Sequence, residues 1–399
     1  MREELVYSDV TEVAASPAFV TARANIHGTD ADTVADMRAV TAIAAPTGAE
    51  GERARWLAER LRELGLAPAQ DAAGNVLALT PAADPDAAPI AIVAHLDTVF
   101  SAETDLTLRE DGNRLQAPGI SDNGRGLAGM LAVARALRAA DWPVRAPLLL
   151  VGTVAEEGAG DLRGAKHFVG EWGDRLGAFI ALDGAGADRI ISTGVGSRRL
   201  RVTYAARGGH SWSDWGTPNA IHAAGRAIAE LCDLDLPAEP RTTLTVARMG
   251  GGISINAIPA DAWLEIDLRS EQHEPLRDLE TRARDVLQRA AAAESTDSEQ
   301  VECEIAVFGD RPAGLTPARH PLIRLCQAAT RAIGRTPELT SSSTDANVAL
   351  AAGIPAVAIG AGGEAGGMHT TSEWYDNEEG ALGIERALLI ILCAAGLAN

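Results

Sequence analysis

Short unbroken apolar runs punctuate the first half of the chain: NVLALT, IAIVAHLD, PLLLVGTVA and AFIALDG. Such runs mark strands buried on both faces of a parallel sheet. Between them lie stretches with helical spacing of apolar positions. Residues 32–64 read as two helices broken at Pro46-Thr47-Gly48, the second running from Gly51 to Leu64 and stopping at Gly65. GLAGMLAVARALRAA is a long amphipathic stretch, and RGAKHFVGEW is a helix between two of the strands. LTLREDGNRLQ reads as a hairpin turning on Asp111-Gly112. The alternation predicts an α/β fold with a mostly parallel sheet and helical crossovers.

Near Ser197 the pattern changes. RRLRVTYAA, TTLTVARM and AWLEIDLRS alternate apolar and polar positions, as half-buried strands do. Helices are predicted over 218–231, opened by the cap-and-proline pair Thr217-Pro218, and over 275–293. Two helices with about four strands suit an inserted α+β domain. After strand VECEIAVF the α/β character returns with HPLIRLCQAATRAIG, PAVAIG and GALGIERALLIILCAAG. The predicted organisation is a discontinuous domain, 1–196 and 314–399, interrupted by 197–313.

The chemistry sits just past the apolar runs. His95 and Asp97 end IAIVAHLD, Asp122 lies in GISDNG, Glu156 and Glu157 follow LLLVGTVA, Asp183 follows AFIAL, and His369 ends GGEAGGMH. In an open α/β sheet the binding crevice lies at the carboxyl ends of the strands. Imidazole and carboxylate together are a ligand set for zinc and its divalent neighbours. His95 and Asp97, two apart, share a face, which suits a metal-bound imidazole held by a carboxylate. Adjacent residues in extended backbone point opposite ways, so one of Glu156 and Glu157 can bind metal while the other reaches a water as general base. Each signal has a plainer alternative: a strand terminus, a helix cap at Asp122, a solvated acidic loop, a turn residue at Asp183. Their joint occurrence at successive strand ends is the argument.

Composition narrows the classes. The 399 residues carry 35 basic and 55 acidic side chains, a net charge of −20. That balance disfavours nucleic acid and anionic membranes as partners. No apolar segment approaches the ~18 residues that span a bilayer. MREELVYSDVTEV lacks the basic and apolar regions of a secretory signal. Cys232, Cys303, Cys326 and Cys393 show no CxxC spacing and read as buried free thiols, so a cytoplasmic location is expected.

HLDTV, GxSDNGRGLAGML, TVAEEGAG, ALDG and GGMHTTSEW, in this order, resemble the co-catalytic dizinc exopeptidase and amidohydrolase family, which includes carboxypeptidase G, aminoacylase, peptidase T and succinyl-diaminopimelate desuccinylase. RGGHSW and INAIPADAWLEIDLR resemble that family's dimerisation, or lid, domain. The resemblance implies two divalent metal ions, zinc with cobalt or manganese as alternatives. His95 and Asp183 would hold one, Glu157 and His369 the other, with Asp122 bridging and a cis peptide after it. Asp97 would orient His95, and Glu156 would be the general base. It also implies a homodimer formed through the lid, with His210 acting on the partner's site.

His210 and Asn256 are candidate donors to an oxyanion, against the alternatives of a surface histidine and a turn asparagine. Arg269, at the end of LEIDLRS, suits capture of a substrate carboxylate, against a surface strand arginine. The expected activity is hydrolysis of a peptide or amide bond beside a free carboxylate in a small peptide. Deacylation of an N-acyl amino acid is the alternative. A non-catalytic metal-binding relative and a two-metal phosphoesterase are the other classes; the phosphoesterase would want cationic side chains near the metals, and the segments around the ligands offer few.

Overall fold

The computed structural model describes residues 7–398. The first six residues, part of the segment read above for a secretory signal, lie outside the described residues. The chain forms two compact units, one made of everything up to Gly194 together with everything from Gly314 onward, the other of Val195–Ala313.

The first unit is built on a nine-stranded mixed sheet. Its centre is parallel: Leu148–Thr153, Ile90–His95, Ala178–Leu182 and Ala356–Ile359 lie side by side, with Val93 opposite both Val151 and Ala181. All four strands are buried throughout, as unbroken apolar runs require. The flanks are mostly antiparallel: Val76–Leu79 on one side, Arg189–Gly194 and Gly314–Leu315 on the other. Alternate residues of one strand serve two cores. Ile90, Ile92 and Ala94 pack with helices Gly51–Glu63, Gly126–Ala139 and Gly380–Ala395, whereas Ala91 and Val93 pack with Arg163–Trp172 and Ala346–Ala351. Helices on both faces are what a parallel sheet needs to keep its strands dry.

A small sheet, Glu364–Gly366, Trp374–Asp376, Arg114–Gln116 and Arg109–Asp111, ties the late chain to the segment before Asp122. The hairpin within it pairs Asp111 with Arg114, so its turn is Gly112-Asn113, one residue later than the sequence pattern suggested.

The second unit is a four-stranded antiparallel sheet ordered Thr242–Gly251, Asp261–Ser270, Gly196–Ala205, Glu302–Arg311, with helices Ala220–Cys232 and His273–Glu294. Leu200, Val202 and Tyr204 alternate inward with Ala262, Leu264, Ile266 and Leu268. The first helix starts later than Thr217-Pro218 predicts. Asn219 is its cap, accepting from the N–H groups of Ile221 and His222, and a cap bond decides the start.

Two helices, Val10–Ala14 and Pro17–Gly28, were not expected, although Ser16-Pro17 has the cap-and-proline form. Cys326 and Cys393 are buried, Cys303 is half-buried and Cys232 is exposed, against the expectation that all four are buried. Cys232 ends its helix beside, rather than on, the buried stripe Ala220, Ala223, Ala227 and Leu231. Among the described residues no helix is long and apolar enough to cross a membrane.

Candidate active site

Six side chains expected just past the apolar runs meet in the first unit. His95 is the last residue of its strand, Asp183 follows Leu182 directly, and Glu156 and Glu157 follow the strand ending at Thr153. The small sheet delivers the rest. His369 lies in the loop between Glu364–Gly366 and Trp374–Asp376, with left-handed backbone (φ 63°), and that hairpin pairs with the strand leading to Asp122.

Asp122 is the centre. Its Oδ1 is 2.9 Å from His95 Nε2 and its Oδ2 is 3.1 Å from His369 Nε2. His369 Nε2 is also 3.0 Å from Glu157 Oε1, and His95 Nε2 is 3.8 Å from Asp183 Oδ1. Two ligand groups result, His95–Asp122–Asp183 and Asp122–Glu157–His369, sharing Asp122, and a third joins His95 with Glu156 and Glu157. Within each group the donor atoms lie within 4.8 Å of one another. The Asp122–Asn123 peptide is cis, as the resemblance implied.

Asp97 is fully buried and behaves differently from a simple partner of His95. His95 Nδ1 lies 3.1 Å from the Asp97 main-chain carbonyl and 3.6 Å from its carboxylate. The carboxylate instead accepts the N–H of Glu156 at 2.9 Å, the N–H of Glu157 at 3.0 Å and the hydroxyl of Thr47 at 2.8 Å.

The electrostatics are those of a crowded anionic pocket. Burial opposes charge on His95, but the hydrogen bond to Asp122 and the nearby Asp97 carboxylate outweigh it and hold the imidazole well above its ordinary value. Hydrogen bonds to Asp122 and Glu157 push His369 up to about 10. Burial also opposes ionisation of Asp122, yet His369 and His95 hold its carboxyl well below the usual range. Asp183 goes the other way, pushed up to about 7 by burial and by the neighbouring Asp122 charge. Carboxylates that raise one another's pKa, set against two imidazoles, suit cations between them. The donor set, two nitrogens and three carboxylates, fits two divalent ions sharing Asp122.

Several supporting residues carried no sequence signal. Glu373 is fully buried and accepts from the N–H of Gly119 (2.9 Å), the N–H and hydroxyl of Ser121 (2.8 and 2.7 Å) and the N–H of Asp122 (3.0 Å). Its clue is only its place four residues after His369. Asn123 Nδ2 donates to the Leu182 carbonyl, and its Oδ1 accepts from Gly126 and Gly184, which locks the Asp122 segment to the strand before Asp183. Glu50 Oε1 accepts from the N–H of Gly48 and of Ala155.

His210, Asn256 and Arg269 lie in the second unit. Gly209–His210 pairs with Ala257–Ile258, and Ser211 N–H donates to the Asn256 carbonyl at 3.0 Å, so His210 and Asn256 are neighbours. His210 is exposed, and its Nδ1 accepts the N–H of Trp212 at 3.2 Å, which leaves Nε2 as the outward nitrogen. Arg269 is partly exposed and its Nε donates to Asp267 on the same strand face at 2.7 Å.

The sequence model of peptidase family M20/M25/M40 matches residues 91–392. A succinyl-diaminopimelate desuccinylase of Corynebacterium glutamicum is 29% identical over 246 residues, 59% of this chain and 65% of the relative. A probable carboxypeptidase of Aspergillus flavus is 26% identical over 250 residues, 57% of this chain and 55% of the relative. The chain therefore spans less than two thirds of the length of these curated relatives. In fold it is similar to aminopeptidase PepT from Bacillus cereus (TM-score 0.75, 22% identity, 91% of this chain and 98% of that one). It is also similar to a tripeptidase from Staphylococcus aureus (TM-score 0.78, 21% identity, 91% and 98%). Because the family match runs through both units and past every proposed ligand, the chain belongs to peptidase family M20/M25/M40.

Proposed function

We propose that this chain is a metal-dependent hydrolase of a peptide or amide bond beside a free carboxylate, with Glu156 as general base. The observation that carries the reading is the sharing of Asp122: its two carboxylate oxygens face two different imidazoles, each with a further carboxylate behind it. His95 and Asp183 would hold one divalent ion, Glu157 and His369 the other, and Asp122 both. Ions in these positions would acidify a water and polarise the scissile carbonyl.

Glu156 is buried and belongs to the group formed with His95 and Glu157. A carboxylate so placed takes the proton of the attacking water and returns it to the nitrogen of the leaving amine. Asp97 fixes the backbone of Glu156 and Glu157 together, so one main chain presents a ligand and a base. His210 and Asn256 supply hydrogen bonds to the developing oxyanion, His210 from the partner in a homodimer formed through the second unit. Arg269 binds the substrate carboxylate by exchanging it for Asp267. The free cysteines suit a reducing, cytoplasmic setting.

A second reading, deacylation of an N-acyl amino acid, is favoured by the likeness to a desuccinylase. Both readings are tested by one panel of dipeptides, tripeptides and N-acyl amino acids, assayed with zinc, cobalt and manganese. Glu156→Ala should cut turnover by about 10²–10⁴-fold while metal content holds. Full activity in that variant, or no turnover of any amide by metal-loaded protein, overturns the proposal.

A further inference from the structure

A second cluster of metal-ligating side chains lies in the first unit, apart from the residues described above. Asp71, His167 and Glu171 each offer one ligand atom within 4.8 Å of the others. His167 and Glu171 are four apart on helix Arg163–Trp172 and so share a face. Asp71 comes from the loop before strand Val76–Leu79. Its Oδ1 accepts the N–H groups of Ala73, Gly74 and Asn75, each at 2.9 Å, and its Oδ2 accepts Asn75 Nδ2 at 2.7 Å. The carboxylate is thus buried and fixed before any ligand arrives, its side chain 7% exposed.

One ring nitrogen makes no hydrogen bond, although the His167 side chain is 29% exposed and that of Glu171 52%. His167 Nε2 is shielded from solvent and has no hydrogen-bond partner among the described residues. It stands 3.8 Å from Asp71 Oδ2 and 3.6 Å from Glu171 Oε1. Those separations are too long for hydrogen bonds, which run to about 3.2 Å. They are close to the edge of a coordination tetrahedron: donors about 2.0–2.2 Å from one zinc-like ion lie about 3.3–3.6 Å apart.

We propose that Asp71, His167 and Glu171 form a further divalent-cation site, distinct from the one at Asp122, with water completing the shell. One imidazole and two carboxylates suit zinc, and also cobalt. The site's position gives it a mechanical role. Asn75, which holds Asp71, also donates to the Gly164 carbonyl at 3.0 Å and accepts the Val154 N–H at 2.9 Å. Those two residues bracket the segment that carries Glu156 and Glu157. An ion joining Asp71 to the helix therefore clamps both ends of that segment.

The test uses zinc alone on metal-stripped full-length protein, in a background carrying His95→Ala and His369→Ala. That background should still bind about one zinc per chain, and adding His167→Gln or Glu171→Gln should remove it or weaken it at least tenfold. In the otherwise unaltered chain, His167→Gln should lower zinc content by about one ion and leave the remaining ions in place. The His167 ring nitrogens, read by nitrogen-15 NMR, should shift on zinc addition. A background variant that binds no zinc, or His167→Gln protein that binds zinc as the parent does, overturns the proposal. Neither outcome depends on activity, so it is separable from failure of the hydrolase reading. Should the double-alanine background not fold, the comparison within the unaltered chain decides alone.

Discussion

The Asp97 carboxylate holds the main chain of Glu156 more closely than it holds the ring of His95. Oδ1 accepts the Glu156 N–H at 2.9 Å, whereas the nearest approach to His95 Nδ1 is 3.6 Å. The imidazole is served instead by the Asp97 carbonyl at 3.1 Å. One residue therefore orients the ring through its backbone and the paired glutamates through its side chain. The two functions are separable by mutation.

Asp97→Ala removes the acceptor of three donors, the buried N–H groups of Glu156 and Glu157 and the half-buried Thr47 hydroxyl. An unsatisfied buried donor costs about 1–3 kcal/mol, so a net loss of about 3 kcal/mol in urea unfolding is expected. Asp97→Asn keeps the shape but turns an N–H₂ toward one of those donors. It should cost about 1–2 kcal/mol and lower kcat about 10–100-fold with KM little changed. Equal kcat in Asp97→Asn and the parent would show that the glutamate backbone needs no such support.

Glu373 offers a parallel case on the opposite side. Its carboxylate gathers four hydrogen bonds from Gly119, Ser121 and Asp122, and burial still pushes its pKa up. Glu373→Ala should destabilise by about 2–4 kcal/mol and loosen metal binding, because it frees the segment that places Asp122. Glu373→Gln, which retains one oxygen, should recover part of both. Unaltered metal affinity in the alanine variant would remove Glu373 from the account of the site.

The central strands and the residues capping them were legible because burial on both faces forces an unbroken apolar run, and a polar residue ending such a run stands out. His95, Glu156, Glu157 and Asp183 carry that contrast, whereas Asp122 and His369 sit in glycine-containing loops delivered by the small sheet and were marked by the motifs around them. Glu373, Asn123 and Glu50 do not: their work is to accept main-chain N–H groups from distant loops, and no local spacing records such a partner. Two flanking strands were hidden for a similar reason: Arg189–Gly194, antiparallel to Ala356–Ile359, and Glu338–Ser342, parallel to Arg189–Gly194, lack an unbroken apolar run and gain their identity from neighbours. The start of helix Ala220–Cys232 shows a local ambiguity, where two cap residues stood two apart and only the hydrogen bonds to Asn219 settle which one acts.

Close packing behind Asp122 predicts a sharp contrast between two glycines. A Cβ on Gly126 would lie 2.0 Å from Asn123 Oδ1 and 2.3 Å from the Leu182 carbonyl, neither of which can give way without releasing the Asp122 segment. Gly126→Ala should cost about 3 kcal/mol and lower activity. Gly170, in helix Arg163–Trp172, has open space where its Cβ would be. Gly170→Ala should instead stabilise by about 0.5–1 kcal/mol through helix propensity. Thermal unfolding of the two variants side by side checks both signs, and a mild effect at Gly126 would contradict the packing.

Protons and metal ions compete for the same atoms, which fixes a pH dependence. His369 is raised to about 10 by Asp122 and Glu157, above its unfolded value near 6.5. In metal-free protein its contribution to stability is therefore complete below about pH 6.5 and is lost as pH rises toward 10. Asp183, raised to about 7, adds a loss in the same direction from about pH 4 upward, because the unfolded chain ionises it first. Metal-free protein should thus grow less stable from neutral to alkaline pH. Metal uptake must displace the protons held on His95 and His369 and part of that on Asp183, so it should release roughly two to three protons per chain near neutrality. Calorimetric titration in buffers of different ionisation enthalpy measures that number directly. Zinc affinity should rise with pH over the same range. Uptake without proton release would mean that the imidazoles are neutral before the ions arrive, and the hydrogen bonds from His369 to Asp122 and Glu157 would then need another description.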